Sequence, residues 1–152
     1  MKTFEKLIEE CLHEITEVMP WDLRDEANHK GAPLLLDVRE PDEFAAMHIA
    51  GSLHVPRGVL ESACEFGYEE TEPRLARARD KEVVVICRSG RRSALAARTL
   101  QVLGFKHVRS LRLGLRGWND DGGELIDGAG NDVDPEVADE FFRAKLRPDQ
   151  LG

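Results

Sequence analysis

The chain has 152 residues, 41% of them hydrophobic and 33% charged, with a net charge of −8, which is the size and balance of one globular domain. No apolar run approaches the roughly 18 residues that a spanning helix needs, and the charged N-terminus lacks the apolar core of a secretory signal. Three cysteines with no CxxC pair argue against a disulfide framework or a zinc site and for a reducing, cytoplasmic setting without a cofactor.

Phe4, Ile8, Cys11, Leu12 and Ile15 recur at helical spacing and predict an amphipathic helix over residues 3–13, suited to dock on the body or on a second subunit. A second short helix is predicted from Met19-Pro20 to about Gly31. LLLDV (34–38) reads as a buried strand, PDEFAAM (41–47) as a helix with Pro at its start, and SLHV (52–55) as a short strand stopped by Pro56. Short helices are expected within residues 57–80, the best of them PRLARARD (73–80). VVVIC (83–87) is the strongest strand: continuous, β-branched and uncharged, as in a central parallel strand covered on both faces. Residues 93–103 predict a helix stopped by Gly104. HVRSL (107–111) predicts a strand and GLRGWND (114–120) a turn and short helix. Residues 121–133 form a loop, and residues 134–148 a helix with bases in its last turn. Short strands alternating with helices give an α/β fold on a parallel sheet.

Charge is distributed unevenly. Residues 83–119 contain no Asp or Glu but hold Arg88, Arg91, Arg92, Arg98, Lys106, Arg109, Arg112 and Arg116, so this segment carries +8 and the remainder −16. An acidic chain with one cationic segment is not a general nucleic-acid binder; its field suits a small anion or an acidic partner surface. Arg98, Lys106 and Arg109 are expected to pair with acidic residues elsewhere in the fold.

Cys87 ends the best strand inside this cationic segment. Ligands of parallel α/β sheets bind beyond the carboxyl ends of the strands. A helix N-terminus and neighbouring arginines favour a thiolate there, so Cys87 is expected ionised and facing solvent. Gly90 permits a positive φ that turns consecutive N–H groups inward as a cup. The candidate site is therefore Cys87 as nucleophile, with Arg88, Ser89, Gly90, Arg91 and Arg92 around its substrate. Arg57, just after a strand end, adds to the same field. Cys11 is read as packing, and Cys64 falls in the least defined segment.

Three stretches carry a resemblance. LLLDVREPDEFAAMHIAGSLHVPRG (34–58) resembles the first signature of rhodanese domains, CRSGRRS (87–93) their active-site loop, and GLRGW (114–118) their last motif. The resemblance covers residues 15–121 and leaves an N-terminal helical extension at 1–14 and a loop with a C-terminal helix at 122–152. It implies a three-layer α/β/α domain with a five-stranded parallel sheet. It also implies a thiosulfate sulfurtransferase: Cys87 takes the outer sulfur of a small anionic donor as a persulfide and passes it to cyanide, a thiol or a protein cysteine. Asp37, Arg39, His48 and His54 match the family as fold positions. Leu113 departs from it, because rhodanese domains carry a glycine at this position. No nucleic acid or membrane is implied, and the chain is expected as a monomer or homodimer.

Two other readings fit part of the pattern. A persulfide carrier or interaction module needs the same loop but little turnover. A cysteine phosphatase or arsenate reductase of the same fold needs Arg six residues after the cysteine, where this chain has Ser93, and a smaller cup suits sulfur better than a phosphate ester.

Overall fold

The structure is a computed structural model that describes all 152 residues. In chain order its elements are α1 (Phe4–Leu12), β1 (Thr16–Val18), α2 (Pro20–Ala27), β2 (Leu34–Asp37), α3 (Pro41–Ala46), β3 (Leu53–His54), α4 (Leu60–Ala63), α5 (Pro73–Ala76), β4 (Glu82–Ile86), α6 (Arg91–Val102), β5 (His107–Leu111), α7 (Gly114–Asp120) and α8 (Pro135–Phe142). The five strands form one parallel sheet in the order β1-β5-β4-β2-β3.

The period of two along a strand divides the core. Val83 and Val85 of β4 point to one face, where they meet Leu36, Leu60, Leu75, Ala96, Ala97 and Leu100 beneath α4, α5 and α6. Val84 and Ile86 point to the other, against Leu23, Leu35, Leu111, Leu115, Trp118 and Phe142 beneath α2, α7 and α8. With both faces covered, β4 has no need of polar alternation, which is why its sequence is continuous and apolar. The chain leaves β2 toward one edge of the sheet and β4 toward the other. The crevice between the carboxyl ends of these two strands is therefore the topological switch point where such folds bind ligands. Cys87 lies there.

Both terminal segments pack on this body. On α1, Ile8 and Cys11 are buried, and the Cys11 thiol donates to the Ala94 carbonyl of α6 at 3.2 Å. Ala138 and Phe142 of α8 complete the second core cluster. No helix is long and apolar enough to cross a membrane.

Three sequence expectations need correction, and one strand goes unannounced. β1 is a strand that the sequence does not announce: Thr16 is exposed, only Val18 is buried, and three residues on a sheet edge leave no run of apolar positions. α5 stops at Ala76, because Arg79 turns back to bind the carbonyls of Cys64, Ala76 and Leu103. α8 stops at Phe142, its last buried residue. Arg143 is extended (ψ 134) and everything after it is exposed, so the bases lie beyond the helix with no apolar face to sustain another turn. Of the three cations expected to find acids, Lys106 pairs with Asp80 at 2.8 Å and Arg109 with Glu26 at 2.8 Å. Arg98 instead reaches its own helix neighbour Gln101 at 3.2 Å and forms no ion pair.

Candidate active site

β4 delivers Cys87 to the switch point, and α6 begins four residues later. Gly90 caps α6 in the left-handed region (φ 92), the conformation that turns the chain sharply enough to aim the first helical N–H groups back at the strand end. A side chain at Gly90 would also meet the Leu111 carbonyl and the Leu113 nitrogen at 3.2 Å. The Gly90 N–H donates to Cys87 Sγ at 3.1 Å and the Ser93 N–H at 3.3 Å. Ser93 Oγ stands 3.3 Å from the sulfur and shares a 2.7 Å hydrogen bond with Ser110 Oγ of β5. Ser93 and Ser110 are fully buried, so Ser110 holds the Ser93 hydroxyl in place beside the sulfur.

The N–H groups of Arg88, Ser89, Arg91 and Arg92 make no hydrogen bond within the chain. The loop thus presents two amides to the sulfur and four more without a partner, at the positive end of a 12-residue helix. Its outer wall is a recess of about 420 Å³ lined by Phe4, Arg88, Ser89, Arg91 and Arg92.

The expectation of a solvent-facing sulfur is corrected. Cys87 is only 1% exposed and packs into the core cluster beneath α6. The strand end lies under the loop that follows it, so the sulfur forms the floor of the cup and not its rim.

The arginines differ in what holds them. Arg92 forms a bidentate ion pair with Glu43 of α3, at 2.7 and 3.0 Å. Glu43 hydrogen bonds hold the Arg92 guanidinium above its usual pKa against the opposing effect of burial, and the charges of Cys87 and Asp37 add to the rise. Burial alone would push the Glu43 carboxyl up, but Arg92 and the Glu40 backbone N–H bring it below the ordinary carboxylate value. Arg91 pairs with Glu5 of α1 and lies over the Phe4 ring, 5.5 Å from its centroid. The Arg88 guanidinium has no acidic partner, while its carbonyl accepts from the Arg116 N–H of α7 at 3.1 Å. Arg57 is directed to Thr99 Oγ1 (3.1 Å) and Glu61, beside the third turn of α6. Thr99 lies eight residues along that helix from Arg91, about 12 Å, so the structure does not bring Arg57 to the cup.

The rest of the loop is fixed by backbone. Leu115 N–H donates to the Cys87 carbonyl at 2.9 Å. The two chains run so close here that a side chain on Gly114 (φ 59) would sit 2.3 Å from the Arg88 carbonyl oxygen. Leu113 immediately before it also has a positive φ of 68, the one non-glycine residue that does. A left-handed conformation costs a residue with Cβ about 1–2 kcal/mol, and this Leu is 47% exposed.

Asp37 and Arg39 support the crevice from β2. They are 1% and 0% exposed, joined by three guanidinium–carboxylate hydrogen bonds of 2.9–3.2 Å, and Arg39 also donates to the Met47 carbonyl. Phe44 stacks between His48 and His54, whose rings bond the Phe44 and Arg39 carbonyls. These four residues bind one another and the backbone. Cys64 is fully buried in the first core cluster, and burial pushes its thiol up to about 11.

Sequence reasoning did not single out Ser93 and Ser110, nor Glu5, Phe4 and Glu43. Ser110 carried a signal, as a polar residue in the apolar alternation of a central strand. Ser93 closed the loop motif. The acids that neutralise Arg91 and Arg92 lie 86 and 49 residues away in the chain and carried none.

Comparison with known proteins gives the family. The family model of the Rhodanese-like domain matches residues 20–121. YrkF of Bacillus subtilis (strain 168), a candidate sulfur carrier protein, is 40% identical over 84 residues, 55% of this chain and 40% of YrkF. A candidate mitochondrial thiosulfate sulfurtransferase of Schizosaccharomyces pombe is 38% identical over 90 residues, 57% of this chain and 63% of that protein. The chain thus spans less than two thirds of either relative. Among solved structures, RPA3614 of Rhodopseudomonas palustris CGA009, of unknown function and suggested as a tyrosine phosphatase, superposes with a TM-score of 0.71 at 28% identity, covering 81% of this chain and 93% of its own.

Proposed function

The chain belongs to the rhodanese-like domain family, and from that premise we propose that it transfers sulfane sulfur through a persulfide on Cys87. One observation carries the reading: Cys87 Sγ accepts hydrogen bonds from the Gly90 and Ser93 amides at the N-terminus of α6, where anionic sulfur is favoured.

In the first half-reaction the Cys87 thiolate attacks the outer sulfur of thiosulfate. The new bond joins Sγ to that sulfur, the donor's S–S bond breaks, and the electron pair leaves with sulfite. The product is a Cys87 persulfide anion, whose terminal sulfur extends into the cup toward the free amides of Arg88, Ser89, Arg91 and Arg92. In the second, a thiolate or cyanide attacks that terminal sulfur, the Sγ–S bond breaks, and its electron pair restores the Cys87 thiolate. This is covalent catalysis in two displacements. Arg88, the loop arginine without an acidic partner, is the residue that meets the sulfonate of the donor. Arg91 and Arg92 line the same recess but are neutralised by Glu5 and Glu43.

A phosphatase would need a guanidinium in the cup to hold a phosphoryl group. Arg92 is committed to Glu43, and the position six residues after the cysteine is the buried Ser93. With Arg92 so committed, the loop amides are what is left to hold a group on Cys87, which favours sulfur over a phosphoryl group.

A screen of donors and acceptors with the wild type and Cys87→Ser tests the proposal. Sulfite release from thiosulfate in the presence of cyanide or a thiol is expected from the wild type and not from the variant. Cys87-dependent hydrolysis of an aryl phosphate without sulfur transfer would overturn it. Slow turnover with a stable persulfide would mark a carrier, as the similarity to YrkF suggests.

A further inference from the structure

Beside the cup lies a surface that the transfer of one sulfur atom from a small anion does not require. Arg112 and Arg116 are exposed and Arg88 is half-buried. Unlike Arg91 and Arg92, their guanidinium groups form no ion pair or hydrogen bond within the chain. Backbone contacts hold the three together: Arg116 N–H to the Arg88 carbonyl at 3.1 Å, and Arg112 and Leu113 against Gly90. Leu113 sits among them in the left-handed region, where a glycine would rest without strain. Its side chain lies over Gly117, close to Pro20 of α2, and is 47% exposed. The residue spends backbone strain to hold an apolar group at the surface, and strain of this kind concentrates where a ligand is bound.

The occupant follows from the charges. Three arginines without an acidic partner, on backbone joined to that of an exposed apolar residue, fit an acidic surface with an apolar centre. The chain outside residues 83–119 carries −16, so its net field disfavours an acidic partner and this cationic end favours one, which orients the partner over Cys87. Nucleic acid would meet the same repulsion and find no extended basic track. Resting on the persulfide reading above, we infer that the rim of Arg88, Arg112, Leu113 and Arg116 docks an acidic protein that presents the thiol receiving the sulfur.

The test uses the full chain, loaded with thiosulfate and freed of excess donor, and two synthetic peptides with one cysteine each. In one the cysteine is flanked by Leu and four Glu residues, in the other by Leu and four Lys residues. Dithiothreitol serves as the neutral acceptor. Loss of sulfur from Cys87 is followed by intact mass. At low salt the Glu peptide is expected to discharge the persulfide about tenfold faster than the Lys peptide, and this difference should fall to about twofold near 0.5 M salt. Arg112→Glu/Arg116→Glu should reverse the preference and leave discharge by dithiothreitol unchanged, a swap that mere unfolding does not produce. Leu113→Gly should slow the Glu peptide about threefold at every salt concentration. Equal rates for the two peptides, or a preference indifferent to the charge reversal, would overturn the inference while leaving Cys87 chemistry intact. Failure of Cys87 to take up sulfur from any donor would remove the persulfide reading and this inference with it.

Discussion

Asp37→Ala should be among the most damaging single substitutions outside the loop. Asp37 and Arg39 are both buried, and their pairing satisfies the Arg39 Nε and Nη2 groups and the Arg39 backbone N–H. After removal of the carboxylate, Nη2 keeps the Met47 carbonyl at 2.7 Å. Nε and the backbone N–H keep nothing, and Nη1 already has no partner within the chain. Each newly orphaned donor costs about 1–3 kcal/mol, two of them about 2–6 kcal/mol. That brackets the 3–5 kcal/mol typical of breaking a buried ion pair from one side, a large share of the 5–15 kcal/mol that holds an ordinary domain together. Urea denaturation of the wild type, Asp37→Ala, Arg39→Met and the double variant Asp37→Leu/Arg39→Met reads this directly. The single Asp37 variant should lose about 3–5 kcal/mol, and the double variant much less, since no charge is then left buried. A single-variant loss below about 1 kcal/mol, or a double variant as damaged as the sum of its parts, would refute the reasoning.

Other consequences concern the loop and the remaining thiols. Gly114→Ala places a methyl 2.3 Å from the Arg88 carbonyl oxygen; because only backbone can yield, the Cys87 loop must move, and sulfur transfer should fall about 100-fold in steady-state assay. Cys64 and Cys11, both with thiols pushed up by burial, should resist iodoacetamide near about pH 8 in the native protein and react in urea; native labelling of Cys64 at the rate of a free cysteine would contradict the packing. The Glu43 carboxyl is depressed in the folded state, so its pairing with Arg92 stabilises the fold fully above the ordinary carboxylate value. That contribution disappears as pH falls through the depressed one. Glu43→Gln should therefore cost about 1 kcal/mol or less at neutral pH after solvent screening. Denaturation curves of this variant and the wild type should converge in acid.

How much of this was legible in the sequence depends on the range of the interaction. β4 announced itself, because burial on both faces forces an uninterrupted apolar run, and so did the positive-φ turn at Gly90. The five-stranded parallel sheet followed from the resemblance, while β1 itself escaped: three residues on an edge leave no pattern. The burial of Cys87 was misread because the end of a run does not reveal how the next loop folds over it. Eight cations in one segment signalled an anion site, but not which of them are free. That depends on Glu5 and Glu43, brought in by α1 and α3 through tertiary packing. Leu113 stood out in sequence as a departure from the family, and only its φ of 68 shows what it costs.

The most direct test of the central claim is the intact mass of the protein after incubation with thiosulfate and removal of the donor. The wild type should gain the mass of one sulfur atom, lost again on adding cyanide, while Cys87→Ser gains none. Equal gain by both proteins, or no gain by the wild type with thiosulfate or any other sulfane-sulfur donor, would contradict the account.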